Sequence, residues 1–143
     1  MRISEVLRSK PSSVVVTITP EASVRDLLGL LADHNVGALV VSRDGTTVDG
    51  IVSERDVVRG LRNQPDLLDR TVESIMTGAV HRCSPDQPVT DLMVLMTEHR
   101  IRHVPVVEDG RLVGIISIGD VVKSRIGELE FERDQLDRYL HQT

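Results

Sequence analysis

An internal repeat with an offset of 65 residues limits this chain to folds that are built twice from one unit. Pro20 and Pro85 begin equivalent segments, and the match continues through helix faces, turns and strand ends in the same order. After one deletion in the second copy, Gly-Ile-Val-Ser-Glu-Arg-Asp at 50–56 aligns with Gly-Ile-Ile-Ser-Ile-Gly-Asp at 114–120. Because prolines, helix faces, turns and strand ends match in the same order, the chain consists of two copies of one duplicated unit.

Each copy has the same order of predicted elements. A β-branched run precedes the first proline, and apolar residues then recur at helical spacing. A short strand, an Asp-Gly turn, a second strand and a second helix follow. The predicted strands are 14–18, 38–41, 48–52, 104–107 and 112–116, and the first helix of each copy runs from Val24 to His34 or from Val89 to His99. This order predicts an α/β (α+β) fold of two β-α-β-β-α modules, which pack together because one copy alone buries too little apolar surface.

Three segments lie outside these units. Residues 3–7 and 72–76 form short helical leads before the two copies, and residues 63–66 are a polar link. In chain order, residues 1–70 make a first module with its lead and linker, 71–125 a second module, and 126–143 a C-terminal amphipathic helix.

The C-terminal helix carries an apolar stripe that Arg133 interrupts. Its members are Val122, Ile126, Leu129, Leu136 and Leu140. Such a short, imperfect heptad pattern leaves two interpretations open, a helix that packs on its own domain and a helix that forms a dimer.

The charge and the scarcity of aromatic residues argue against nucleic-acid binding. The formal net charge is -5, with 17 Lys and Arg against 22 Asp and Glu, and Phe131 and Tyr139 are the only aromatic residues. Binding to nucleic acid needs a basic surface, and single strands favour aromatic platforms for stacking. The core must therefore consist of Val, Leu, Ile, Met and Ala.

The N-terminus and the single cysteine favour a cytoplasmic protein that does not enter a membrane. Charged residues interrupt every apolar stretch before the first strand, so neither a signal peptide nor a membrane span is readable. Cys83 is alone, so no intrachain disulfide forms, and we expect a buried, inert thiol. Structural roles are also expected for Met93 and Met96 in the core and for His34 and His99 at helix C-termini.

Two polar segments that join a strand to a helix are the candidate functional sites. Ser53 and Asp56 in the first copy, and Ser117 and Asp120 in the second, have the spacing of a capping box, which requires no ligand. The same helix N-termini attract anions, and a carboxylate can accept two hydrogen bonds from a ribose cis-diol. Both roles can hold at once, and the repetition of the segment favours a binding function.

At these residues the sequence resembles the CBS domain family, named after cystathionine β-synthase, whose modules occur in tandem pairs. The resemblance extends to about Arg125. It rests on Val-Glu-Ser-Ile-Met-Thr at 72–77, on His-Arg-Ile-Arg-His-Val-Pro-Val-Val at 99–107, and on the two Gly-apolar-apolar-Ser-x-x-Asp segments. It implies a pair of modules about a pseudo-two-fold axis, with two clefts that in many relatives hold AMP, ADP, ATP or other adenosyl compounds.

The resemblance also implies roles for individual residues. Asp56 and Asp120 would each present a carboxylate to a shared groove and hold ribose hydroxyls. The remaining positions are Ser53 and Ser117 near ribose and phosphate, Thr17 at a polar position of the first strand, and Arg102 and His103 as basic phosphate-binding residues.

The first copy departs from the family pattern. Gly37-Ala38 replaces Arg102-His103, and Arg55 stands where the second copy has Gly119. We therefore expect the two clefts to differ in charge, with Arg55 contributing to one of them.

The sequence thus favours a ligand-sensing module that acts by self-association, as a homodimer, or on a separate protein partner. Its ligand would be AMP, ADP or ATP, with NAD(H) and S-adenosylmethionine as further candidates, and it would require no cofactor. A nucleophile elbow, a phosphate-binding loop and paired metal-binding histidines are missing, so we do not expect an enzyme. The alternative is a ligand-free structural dimerisation module.

Overall fold

Two small β-sheets, one in each repeat, form the frame of the protein in a computed structural model that describes residues 1–11 and 14–142. The helices and strands are, in chain order, α1 (Ile3–Ser9), β1 (Thr17–Ile18), α2 (Val24–His34), β2 (Ala38–Val41), β3 (Gly50–Ser53), α3 (Glu54–Asn63), α4 (Val89–His99), β4 (His103–Glu108), β5 (Arg111–Ser117) and α5 (Ile118–Leu140). The predicted mixed α/β class is confirmed, with each sheet packed on the helices of its repeat.

The two sheets have equivalent pairings. β2 and β3 are antiparallel with Ala38 opposite Ser53, and β4 and β5 are antiparallel with His103 opposite Ser117. β1 lies parallel to β2, and its counterpart in the second repeat is a single parallel bridge between Cys83 and Val106. Both predicted turns are present, since Gly45 and Gly110 have φ angles of 84° and 76°, a region that glycine adopts without strain.

The strand predicted at residues 14–18 is shorter than expected. Only Thr17 and Ile18 pair with β2, while residues 14–16 run outside the sheet along a cavity between the repeats. The β-branched residues at 14–16 match the pattern of a strand, but they line the cavity and do not pair with a neighbouring strand. Residues 48 and 49 also precede β3, which begins at Gly50.

The leads are exchanged between the two apolar cores. Ile3 and Val6 of α1 are buried with Val89, Leu92 and their neighbours in the second repeat. In the opposite direction, Val72 is buried in the core of the first repeat. The second lead is a 3-10 turn over Val72–Ser74, not the predicted helix. The division of the chain into 1–70, 71–125 and 126–143 stays a prediction, but the packing of the leads crosses its first boundary.

Two glycines allow each lead to approach the opposite sheet closely. A β-carbon on Gly114 would lie 2.5 Å from Leu7 Cδ2, and one on Gly50 would lie 2.7 Å from Met76 Sδ. The Gly50 site is the more rigid of the two, because the Thr77 backbone oxygen would lie only 2.8 Å away. Thr77 and Ile51 also exchange backbone hydrogen bonds of 2.9 and 3.0 Å.

α5 is a single helix of 23 residues that crosses residues 125 and 126 without a break. Val121 in its first turn is buried in the second core, whereas every residue from 129 to 142 is exposed. The interpretation of a helix packed on its own domain therefore holds only for the start of α5.

Substitution of Gly50 by Ala tests the close approach of the second lead. We expect Gly50→Ala to lower the free energy of unfolding by about 1–3 kcal/mol, as overpacking does, because a backbone oxygen blocks the new methyl group. Gly127→Ala is the matched control, since nothing lies within 4 Å of its added carbon. In a helix, that exchange should raise stability by up to about 1 kcal/mol. Urea unfolding of both variants measures the difference, and equal effects would contradict the packing.

Candidate functional site

The N-termini of α3 and α5 are capped in the same way. Asp56 Oδ2 accepts a hydrogen bond of 2.8 Å from the Ser53 backbone N–H, and Asp120 Oδ2 accepts one of 2.9 Å from the Ser117 backbone N–H. The Asp120 backbone N–H in turn donates to Ser117 Oγ at 3.1 Å. The predicted capping boxes are thus confirmed, and each fixes a carboxylate at the junction of a strand and a helix.

A cavity of about 920 Å³ lies between the two repeats at this junction. Its lining includes residues 14–16 and 34–39 of the first repeat and residues 113–115 of β5 in the second. The polar and charged residues of the lining are Arg8, Lys10, His34, Asn35, His103, Ser117 and Asp120. The lining is thus mostly apolar, and Lys10 and Asp120 form an ion pair within it.

Lys10, the residue that caps the end of α1, lies against the second carboxylate. Its Nζ donates to Asp120 Oδ2 at 2.9 Å and to the Ile115 backbone oxygen at 2.8 Å. Burial by itself would raise the pKa of Asp120, but the hydrogen bonds from Ser117 and Lys10 and the Lys10 charge lower it below its usual value. The carboxylate on the cavity wall is consequently ionised at neutral pH.

His103 connects the two repeats beside this ion pair. A β-carbon on Gly37 would lie 3.5 Å from His103 Cε1, so the missing side chain in the first repeat leaves room for the imidazole of the second. Burial lowers the pKa of His103, and the positive charges of Lys10 and Arg102 lower it further. The negative charges of Asp120 and Glu54 raise this pKa, but the net shift is downward. A neutral imidazole therefore faces the cavity at neutral pH.

The cavity brings together three of the eight residues singled out in the sequence. His103, Ser117 and Asp120 line it, while the other five lie outside its lining. Those five are Thr17 in β1, Ser53 and Asp56 in the first capping box, Arg55 exposed near the start of α3, and Arg102 exposed just before β4. Asp120 lines this cavity and Asp56 does not, so the expectation that both carboxylates face one groove stays a prediction for Asp56.

Sequence reasoning missed the two cations in the lining of the cavity. Arg8 and Lys10 belong to the first lead, and Lys10 is 110 positions from its partner Asp120. The one available hint was composition, since Lys10 and Lys123 are the only lysines in an arginine-rich chain. No local pattern could connect Lys10 with the second capping box.

Several residues have the structural roles expected of them. Cys83 is buried, and burial raises the pKa of its thiol to about 12. The thiol therefore stays protonated at neutral pH, and the reactive thiolate form is hardly populated. Met96 is buried in the core of the second repeat, and Met93 packs against that core. His99 ends α4 and stacks on His81 with ring centroids 4.0 Å apart.

Neither a metal centre nor a membrane-crossing helix is found in the described residues. Among residues 1–11 and 14–142, no three His, Cys, Asp or Glu side chains are placed to hold a metal ion together. Within the same ranges, no helix combines the length and apolar character that a bilayer crossing requires.

Two copies of one unit, with equivalent capped helices and a cavity between them, define a tandem-module protein. A family model described as CBS domain matches residues 3–63 and again residues 72–127. The chain therefore belongs to the CBS domain family, as a tandem pair of modules about a pseudo-two-fold axis. Members of this family are regulatory modules, and their fold is not a catalytic one.

Known proteins of similar sequence and structure support this assignment. The mitochondrial CBS domain-containing protein CBSX3 of Arabidopsis thaliana is 37% identical over 146 residues, covering 96% of this chain and 71% of that protein. A CBS-domain-containing protein from Agrobacterium tumefaciens has 44% identity and a TM-score of 0.82, covering 87% of this chain and 99% of that one. A CBS domain protein from Pyrobaculum aerophilum, complexed with AMP, has 34% identity and a TM-score of 0.74, covering 84% and 89%.

The lowered pKa of His103 predicts a loss of stability on mild acidification. On acidification His103 takes up a proton near pH 6.5 in the unfolded chain, but only at a lower pH in the folded protein. The contribution of His103 to the free energy of unfolding is therefore fully present above about pH 6.5, and it is lost as the pH falls through the lowered pKa. Asp120 does not contribute in this window, because its own contribution is lost only below about pH 4. We expect the free energy of unfolding to fall between pH 7.5 and pH 5.

His103→Gln provides the control, since it removes the titrating group from the same place. Urea unfolding at each pH should show a smaller decrease for this variant than for the unchanged protein. Identical pH dependence in the two proteins would mean that His103 titrates normally.

Proposed function

We propose that this protein is a regulatory module that binds an adenine nucleotide, AMP, ADP or ATP, in the cavity between its repeats. The observation that carries the proposal is the ionised Asp120 carboxylate on the cavity wall, where it can accept hydrogen bonds from a ribose diol. The AMP complex of the Pyrobaculum aerophilum relative supports the same class of ligand. NAD(H) and S-adenosylmethionine share the adenosine group and are further candidates.

The shape and lining of the cavity suit such a ligand. Its volume of about 920 Å³ falls within the range of roughly 300–1,000 Å³ that small-molecule sites have. Apolar side chains from both repeats, among them Val16, Leu39 and Ile115, would cover the faces of the adenine ring. Arg8 and Lys10, the two cations of the lining, would neutralise a phosphate placed beside the ribose on Asp120, so the three parts of a nucleotide each meet matching chemistry.

The ligand would act on the association of the protein and not as a substrate. Because both repeats contribute to the cavity wall, an occupied cavity would hold them in one relative position. We infer that this change modulates a homodimer or a contact with a separate protein partner, in the cytoplasm and without catalysis.

A ligand-free structural module is the second candidate, and one observation favours it. The Asp120 carboxylate is already bonded by Ser117 and Lys10, so the fold does not depend on a ligand to satisfy it. A nucleotide would therefore have to compete with or displace the Lys10 ammonium. The two candidates differ in whether any nucleotide raises the stability of the protein.

The asymmetry of the two carboxylates gives a test of nucleotide binding. We expect AMP, ADP or ATP at a hundred times its dissociation constant to stabilise the fold by about 2.7 kcal/mol, measured as a thermal shift. Asp120→Asn should weaken the affinity at least about tenfold by calorimetry, because a hydrogen bond to a charged group contributes about 1.5–3 kcal/mol.

Asp56→Asn is the matched control, since Asp56 caps an equivalent helix but does not line the cavity. It should weaken the equivalent capping hydrogen bond and leave the affinity within about twofold, which is less than the loss of one hydrogen bond would cause. No thermal shift with any of the five adenosine compounds would leave the structural module as the function.

Lys10→Gln separates the phosphate from the nucleoside. The variant loses a cation that would neutralise the phosphate, so AMP should bind about tenfold more weakly. Adenosine has no phosphate, and its affinity should stay equal or increase, because the substitution also releases Asp120 from its ion pair. Calorimetry with both ligands gives the ratio, and parallel losses for AMP and adenosine would place the phosphate elsewhere.

A further inference from the structure

The pseudo-two-fold axis gives the cavity an equivalent position on the other side of the molecule, here called the second cleft. Exchange of the repeats places the second cleft between residues 79–81 and 99–104 of the second repeat and residues 49–56 of the first. Directly beside these ranges, the Arg82 guanidinium donates a hydrogen bond of 3.0 Å to the Val48 backbone oxygen. The two repeats therefore approach each other on this side of the molecule as well.

The backbone hydrogen bonds confirm which residues of the two repeats are equivalent. The Ser42 N–H donates to the Ile18 oxygen at 2.9 Å, and the Val107 N–H donates to the Cys83 oxygen at 2.8 Å. Both the donors and the acceptors of these two bonds are related by the offset of the internal repeat. The residues two positions before Ile18 and before Cys83 thus occupy equivalent places.

A stacked pair of histidines stands in the second repeat at the place where a valine and a histidine line the cavity in the first. Val16 and His34 belong to the cavity lining. Their counterparts are His81 and His99, whose ring centroids lie 4.0 Å apart with an angle of 26° between the planes. Aromatic rings attract one another in such stacked arrangements. An adenine ring between two groups requires about 3.5–4.0 Å on each of its faces, so the stacked pair leaves no space for one.

The carboxylates on the two sides have different partners. In the part of the chain that the structure describes, Asp56 Oδ2 accepts hydrogen bonds only from the Ser53 backbone N–H and hydroxyl, at 2.8 and 3.2 Å. The Asp120 carboxylate, in contrast, is also bonded by the Lys10 ammonium. A ligand can replace an ammonium by its own hydroxyl groups, but it cannot share the space of a stacked ring. The obstacle in the second cleft is therefore the histidine pair and not the state of Asp56.

We propose that the stack of His81 on His99 closes the second cleft to adenine, so that the chain binds one nucleotide and not two. His81 determines this difference between the two sides, because its counterpart Val16 has no ring to stack. We rest this proposal on the proposed function, since the excluded ligand is the same nucleotide that the cavity would bind.

Equilibrium dialysis of the full chain with AMP, ADP and ATP in turn counts the sites. We expect one nucleotide per chain for the unchanged protein and two for His81→Val, which introduces the valine of the first repeat. His81→Phe is the matched control, because its ring can still stack on His99, and it should keep one nucleotide per chain. His81 is exposed, so the three proteins should unfold at similar temperatures without ligand.

A second substitution locates the gained site. Asp56→Asn added to His81→Val should weaken the gained site at least about tenfold, because the ribose loses a hydrogen bond to a charged group. Two nucleotides on the unchanged protein, no gain in His81→Val, a gain in His81→Phe, or a gained site of undiminished affinity in the double variant would each overturn the closure. A site gained by His81→Val supports the closure even if the unchanged protein binds no nucleotide, a result that contradicts only the proposed function of the cavity.

Discussion

The exchange of the two leads is the contact on which the rest of the structure depends. Leu7 packs on Gly114 of the second sheet, and Met76 packs on Gly50 of the first, with almost no space between side chain and backbone. Each repeat therefore completes its core with a segment from outside its own unit. The two repeats thus share their cores, and the first lead crosses to the second repeat, where Leu7, Arg8 and Lys10 line the cavity together with residues 14–16.

That crossing also makes the two halves of a symmetric fold chemically different. It places Lys10 against Asp120, whereas Asp56 in the first capping box has no lysine after the second lead. The sequence predicted a difference in charge between the two clefts from Arg55 and Gly119, and that difference stays a prediction; Arg55 lies outside the lining of this cavity, which contains Arg8 and Lys10. The two repeats share one fold, and the Lys10 ammonium adds an ion pair at the capping box of the second repeat.

α5 begins beside the cavity and ends away from it. Its N-terminus carries the Ser117 and Asp120 capping box at the cavity, whereas every residue from 129 to 142 is exposed. The two ends of one continuous helix therefore have different surroundings, a packed and ionic one at the start and solvent at the end.

The sequence by itself determined the duplication, the bounds of α2 and α4 and the two capping boxes. The duplication is read from repeated residues 65 positions apart, whereas the helix bounds and capping boxes depend on residues within a few helical turns, where apolar period and capping chemistry are sufficient. It did not determine that residues 14–16 line a cavity, because β-branched residues suit a strand and an apolar wall equally well. Only the tertiary structure decided the exchange of leads, the contact of Lys10 with Asp120 and the exclusion of Asp56 from the cavity. Those features join residues as far as 110 positions apart, and packing between distant segments leaves no periodic trace in the sequence.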